Sequence, residues 1–463
     1  MTVLICFASL ALLMFVAYRG FSVILFAPIA ALAAVLLTDP HDILPVYSGL
    51  FMHKMVFFVE NYFPIFLLGA VFGKVIEISG FAQSIVAAVV RVVGKKKAIL
   101  SIVIVGALLT YGGVSLFVVV FALYPFSAEM FRACGIPKRL IPATLILGGA
   151  TFTMDCLPGT PAIQNIIPTT FFHTTSYAAP ILGLIGAVLI FSGGMIYLEW
   201  RCRKLQAQGE DYGTGHINEP EHIPDSGLVN PWLAISPLFL VGILNFLFTK
   251  LIPIWYPPSI DVKMNSLTPA FNIKIASVLG VWSVEAALSI AILFVCITAF
   301  KTINTKFADG SKAAIGGALL ATMNTASEYG YGSVIAALPG FLVIRDALSH
   351  IPNPLINEAV TINVLAGVTG SASGGMGIAL AAMADHFIAA ANASGIPLEV
   401  LHRVAAMSSG GMDSLPHNGA VITFLAICGL THKQSYPDIF GLVIIKTMVA
   451  FLVIGVYYAT HLV

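Results

Sequence analysis

Met154-Asp155-Cys156-Leu157-Pro158 and Met412-Asp413-Ser414-Leu415-Pro416 are one pattern written twice in this chain. Each is followed by an alanine at the same offset, Ala162 and Ala420. Each lies downstream of a Gly-Ile-Pro, at 135–137 and at 395–397. Both patterns stand in long apolar regions, and both force a helix to open. Pro158 and Pro416 lack an N–H and clash with the preceding turn. Gly159 and Gly419 loosen the backbone further. The spacing predicts broken helices over 139–170 and 402–430.

Upstream of the first pattern, the apolar arms 98–109 and 116–127 meet at Thr110-Tyr111-Gly112-Gly113-Val114-Ser115. Twelve helical residues rise only about 18 Å, against roughly 30 Å of hydrocarbon. Both flanks are basic: Lys95-Lys96-Lys97 on one side, Arg132 with Lys138 and Arg139 on the other. A segment that enters and leaves on one side is read as a re-entrant hairpin over 98–131; two short spans are the alternative. Residues 355–395 repeat the design, with their break at Thr369-Gly370-Ser371-Ala372-Ser373-Gly374-Gly375.

The composition frames these pieces. Of 463 residues, 58% are hydrophobic and 10% charged, and mean hydropathy is +0.94. A soluble chain would carry about 25% charge, so disorder, a secreted disulfide scaffold and an ordinary cytosolic enzyme are excluded. A net charge of +1 gives no basic face for nucleic acid. The six cysteines form no Cys-x-x-Cys pair, so neither a zinc site nor a disulfide framework is expected, and no cofactor is.

Apolar runs of spanning size cover 2–18, 21–37, 56–78, 178–198, 232–249, 272–300, 312–343 and 438–460. With no basic residue before Arg19, the first run reads as a span rather than a cleaved signal. The positive-inside rule puts the basic clusters, including Arg201-Cys202-Arg203-Lys204 and Lys301/Lys306/Lys312, in the cytoplasm and both termini outside. The order hairpin, Gly-Ile-Pro, helix, break therefore occurs twice. The count of five spans plus one hairpin per half inverts the second half relative to the first. The fold class expected is an all-α multi-pass membrane protein of two inverted-topology repeats, 1–198 and 231–463, joined by a polar cytoplasmic linker, 199–230.

Opened helices in hydrocarbon are tolerated only where they line a cavity. Freed carbonyls there suit a cation, and half-helix N-termini suit a carboxylate. The tips, with Gly113, Ser115, Ser371 and Ser373, offer N–H and hydroxyl groups to a small anion. Thr160, Asn165, His417 and Asn418 are candidates for substrate hydroxyls. Asp155, Asp413 and Glu328 are acids in apolar segments. They read as proton carriers or cation ligands, with helix caps or structural hydrogen bonds as the plain alternative. No Arg or Lys stands at either break, which argues against a tricarboxylate such as citrate.

Leu68-Gly69-Ala70-Val71-Phe72-Gly73-Lys74, Gly94-Lys95-Lys96, Leu157-Pro158-Gly159-Thr160-Pro161-Ala162-Ile163 and Ser414-Leu415-Pro416-His417-Asn418-Gly419 together resemble the gluconate permease family of proton symporters. The resemblance covers nearly the whole chain. It implies membership of the ion transporter superfamily, with inverted repeats, two hairpins, two broken helices and a homodimer. It also implies a bacterial inner (plasma) membrane location and symport of a small organic anion with a proton. The first break lacks the histidine of gluconate permeases, and the second, Met412-Asp413-Ser414-Leu415-Pro416-His417-Asn418-Gly419, looks closer to the 3-hydroxybutyrate permease branch. Three rivals stay open at this point: sodium coupling through the same oxygens, an intramembrane aspartyl protease suggested by Gly410-Gly411-Met412-Asp413, and a passive channel.

Overall fold

The computed structural model describes residues 2–19, 21–94, 97–114, 116–216, 219, 228–262, 271–343, 351–416 and 418–463. The described chain is helical almost throughout. That follows from the solvent: hydrocarbon offers no hydrogen bonds, so backbone groups must pair within their own helix. The first half holds α1 (Thr2–Tyr18), α2 (Val23–Thr38), α3 (Met52–Ile78), α4 (Phe81–Val93), α5 (Ala98–Tyr111), α6 (Leu116–Ala133), α7 (Ile141–Gly149), α8 (Ile163–Phe172) and α9 (Pro180–Ala207). The second holds α10 (Pro231–Trp255), α11 (Ile275–Thr298), α12 (Phe307–Ala337), α13 (Pro354–Thr369), α14 (Ala372–Ala393), α15 (Leu398–Ser409), α16 (Gly419–Cys428) and α17 (His432–Thr460). Among the described residues, six helical stretches are long and apolar enough to cross a membrane: 40–78, α9, α10, α11, α14 and α17.

The apolar run at 98–131 is two packed helices, α5 and α6, turning at Gly112–Val114. Its second arm is longer than the sequence suggests. α6 runs 18 residues, straight through Pro125 to Ala133. In the second hairpin α14 reaches 22 residues and is itself of spanning length. Both long helices open where the proline patterns stand. Between α7 and α8 the chain makes one turn at Phe152–Asp155 and then runs irregularly to Ala162. Between α15 and α16 it is irregular from Gly410 to Asn418.

Packing between the halves is reciprocal. α5 packs on α7 as α13 packs on α15; α6 packs on α16 as α14 packs on α8; and α7 meets α16 as α8 meets α15. Each broken helix is therefore covered by pieces of both halves.

Three features lie outside the sequence reading. Residues 81–93 form α4, a 13-residue helix, too short to cross. Its buried face, Phe81, Ala82, Ile85 and Val86, is backed by the exposed Arg91 and Val92. A two-stranded antiparallel ribbon, β1 (Ser259–Val262) and β2 (Phe271–Lys274), stands before α11 and qualifies the all-α expectation. And α9 extends to Ala207, well into the stretch read as linker. It does so because Arg201 donates to Asp438, a fully buried acid that also takes Arg139 Nε at 3.2 Å. Farther on, the carboxylate of Glu219 accepts from Lys138 Nζ at 2.8 Å and from Arg132, and Tyr212 donates to it at 3.0 Å. Burial alone would raise the Glu219 carboxyl. The bonds from Lys138 and Tyr212 and the charges of Lys138 and Arg132 outweigh that and lower it.

The core is braced across the first break by α15. The Arg403 guanidinium is fully buried. Its Nη1 donates to Asp155 O at 3.2 Å and to Asn165 Oδ1 at 3.0 Å, and its Nη2 donates to Ala178 O at 2.7 Å. His402, also fully buried, lies 3.2 Å from Asn165 Oδ1 through Nε2 and 2.6 Å from Thr174 Oγ1 through Nδ1. The network assigns the proton to Nε2, with Nδ1 accepting from Thr174.

Two outcomes follow. A β-carbon at Gly148 would stand 2.6 Å from Val103 O and 2.9 Å from Val103 Cα, both backbone. Gly148→Ala must push α5 and α7 apart and should cost about 1–3 kcal/mol, read as a lower thermal unfolding midpoint. Gly316→Ala, with nothing within 4 Å, should leave that midpoint unchanged or slightly raised. Arg403→Met keeps the volume but strands two carbonyls and leaves the Asn165 amide oxygen with His402 alone. It should cost about 3 kcal/mol or more, and a wild-type midpoint would contradict the bracing role.

Candidate functional site

Both turns and both breaks meet at one cavity of about 990 Å³. Thr110, Gly113 and Val114 come from the first hairpin, and Gly370, Ser371 and Ser373 from the second. The first break contributes Pro161, Ala162 and Gln164; the second contributes Asp413, Ser414 and Asn418. α12 adds Asn324, Thr325 and Glu328 along its length. The cavity reaches Lys74 and Glu77 on α3, paired at 2.8 Å, and Ala313 beside Lys312 on α12. Lys312 belongs to the basic cluster that the sequence reading put in the cytoplasm.

Each wall has a local cause. Gly113 has φ +93, a left-handed turn that favours glycine. It brings the first tip against Pro161: a β-carbon there would lie 3.1 Å from Pro161 Cγ. Tyr111 reinforces this, its hydroxyl donating to Pro158 O at 3.0 Å. The second tip is fastened by Asn418, which donates to Gly370 O at 2.7 Å and to Asp413 O at 2.9 Å. Its Oδ1 caps α16 by accepting from Val421 N at 2.9 Å. Ser371 caps α14, accepting from Gly374 N at 3.0 Å. α8 begins at the cavity with no side-chain cap. Three helix N-termini, those of α8, α14 and α16, therefore point their positive ends at the cavity's edge.

The expected site residues divide sharply. Gly113, Ser371, Ser373, Asn418, Asp413 and Glu328 line the cavity together. Thr160 and Asn165 do not. Thr160 is fully buried in the break. Asn165 is saturated: its Nδ2 donates to Thr160 O at 3.0 Å and Ser176 O at 2.8 Å, while Oδ1 accepts from Arg403 and His402. With every hydrogen-bonding position filled, it holds the break's shape rather than a ligand. Asp155 is buried behind the cavity. Ser115 and His417 lie outside the described residues.

Three cavity-lining polar atoms have no hydrogen-bond partner among the described residues: Thr110 Oγ1, Gln164 Oε1 and Glu328 Oε2. Buried polar atoms are rarely left so. Glu328 is buried, and a β-carbon at Gly374 would stand 1.6 Å from its Oε2, so the carboxyl rests on the first turn of α14. Gln164 went unnoticed in the sequence, although a polar residue three positions past a helix-opening Pro161 is a usable signal.

The absence of a basic group at the breaks, expected from the local sequence, does not hold in space. Lys446 of α17 is buried, and its Nζ lies 3.4 Å from Asp155 Oδ2 and 3.6 Å from Asp413 Oδ1. The two carboxylates are thus joined through an ammonium, not through a shared proton. That is the wrong arrangement for an aspartyl protease. Among the described residues, no cluster of His, Cys, Asp and Glu could hold a metal ion.

Residues 63–249 match the model for GntP family permeases. The chain is 55% identical to the uncharacterized transporter YxjC of Bacillus subtilis (strain 168), with 100% of each chain covered. Its fold is similar to the crystal structure of the Alcanivorax borkumensis YdaH transporter at a TM-score of 0.48, with 15% identity over 88% of each chain. The chain belongs to the GntP family of permeases, and is a multi-pass membrane transporter of organic anions rather than an enzyme.

Proposed function

We propose that this permease imports a short hydroxy-monocarboxylate, 3-hydroxybutyrate first among them, across the bacterial inner membrane together with a proton. The observation that carries the reading is the cavity's chemistry. Three helix N-termini attract one carboxylate, while Lys74 is already paired with Glu77 and Lys446 with Asp155 and Asp413. Among the described residues Gln164 Oε1 and Thr110 Oγ1 stand without partners, and they suit a substrate hydroxyl. The small side chains of Ser371 and Ser373 leave room beside them. The Pro-His-Asn-Gly form of the second break, Pro416–Gly419, points the same way.

Glu328 is the proton's carrier in this reading. Asp155 and Asp413 already share the positive charge of Lys446, and Arg403 lies beside Asp155. Glu328 has no basic partner among the described residues, and a lone carboxylate in a membrane interior is costly. It therefore enters the cavity's closed state neutral. An arriving anion and an arriving proton on Glu328 cancel in charge, which couples the two. The reciprocal packing of the halves supports alternating access about the shared cavity. The hairpins and broken helices then form the unit that moves against the remaining spans. The cavity's reach toward Lys74 and toward Ala313, beside Lys312, corresponds to an inward-open state.

Purified protein in liposomes should accumulate labelled 3-hydroxybutyrate under an inward acid gradient. Other short hydroxy acids should compete, and gluconate should not. Glu328→Gln should lower gradient-driven accumulation at least tenfold while leaving substrate exchange across the membrane measurable. Wild-type accumulation by Glu328→Gln would overturn its role. Competition by gluconate alone would replace the substrate while keeping the site.

A further inference from the structure

Lys446 stands in a position that neither its own helix nor the transport chemistry of the cavity explains. It interrupts the apolar α17 and lies between the two breaks. Its Nζ is held by three oxygens: Asp155 Oδ2 at 3.4 Å, Asp413 Oδ1 at 3.6 Å and Ala150 O, to which it donates at 3.2 Å. Two carboxylates and a backbone carbonyl make up the donor set that a hard cation takes. Both breaks contribute, so whatever cation sits there ties the two halves together.

The backbone is shaped around this place. A β-carbon at Gly410 would stand 2.0 Å from Asp155 Oδ2 and 2.8 Å from Lys446 Nζ. At the adjoining Gly411 it would stand 1.9 Å from Asn363 Oδ1. That amide oxygen is buried and has no partner among the described residues. A partnerless oxygen therefore abuts the residue next to the one that faces Lys446.

We infer that the Lys446 ammonium is a built-in cation occupying the seat between the two breaks that a metal ion would otherwise take, and that removing it opens a site for sodium. The inference rests on the reading of this chain as an ion-coupled carrier and deepens it: sodium is excluded as the coupling ion because its oxygens are already occupied. With Lys446 present, the charges of Asp155 and Asp413 are met without any ion from solution. Without it, the buried Asp155 and the cavity-lining Asp413 lose the cation they share, and a small monovalent cation restores it.

The test needs no transport substrate, so a wrong substrate cannot mimic its failure. Thermal unfolding of purified wild type, Lys446→Ala and Lys446→Arg is measured in sodium chloride and in choline chloride at equal ionic strength. Wild type and Lys446→Arg should unfold at the same temperature in both salts. Lys446→Ala should be destabilised in choline and recover by about 3 °C or more in sodium. Adding Asp413→Asn to Lys446→Ala should abolish the sodium response. If Lys446→Ala does not survive purification, Lys446→Gln in the same salts gives the same decision. A wild-type midpoint that rises in sodium, or a lysine-less variant indifferent to it, would overturn the inference.

Discussion

A backbone opened inside hydrocarbon has to find its hydrogen bonds in protein, and the rest of this structure answers that demand. Each break leaves carbonyls and helix ends with no partner in its own helix. The partners come from elsewhere in the chain. Arg403, on the helix leading to the second break, holds Asp155 O and Ala178 O. Asn245 of α10 donates to Gly159 O at 3.0 Å. Asn418 ties the second break to the second tip. Lys446 reaches Ala150 O and both aspartates. Of the side-chain atoms left without a partner among the described residues, those of Thr110, Gln164 and Glu328 face the cavity.

The same pairing separates two kinds of buried charge. Arg403 and Lys446 are enclosed and multiply bonded, and they fix geometry. Glu328 is enclosed but half unsatisfied, and it opens onto the cavity. Removing a fixed partner leaves a stranded charge or carbonyl and weakens the fold. Changing a cavity acid alters what the cavity holds. Outside this core the helices turn apolar faces outward: Ile181, Leu184 and Val188 on α9, and Phe239, Ile243 and Phe246 on α10, are exposed, as surfaces against lipid are.

Much of this was legible in the chain. The paired Met-Asp-x-Leu-Pro patterns located both breaks because proline and glycine act on the backbone locally, whatever surrounds them. The Gly- and Ser-rich turns located both tips for the same reason. What escaped was set by contacts between distant segments. Lys446 reads as one polar residue in the apolar run 438–460, yet a charge in mid-span is a signal that a partner exists. Arg403 sits in Leu398-Glu399-Val400-Leu401-His402-Arg403, which looks like a water-facing helix until the first break closes over it. Asn165 was singled out for substrate hydroxyls, but its local sequence does not show that its four bonding positions are filled by Arg403, His402, Thr160 O and Ser176 O. The helix α4 was passed over because its 13 residues are too few for a span.

The central claim is that the cavity between tips and breaks is where the substrate binds. Equilibrium binding of labelled 3-hydroxybutyrate to wild type and to Ala321→Phe tests it most directly. Ala321 lines the cavity on α12, and a phenylalanine there takes up part of its volume at a residue that bonds none of Asp155, Lys446 and Arg403. Saturable binding to wild type, lost in a variant that unfolds at the same temperature, is the predicted result. Equal binding to both proteins would place the substrate somewhere else.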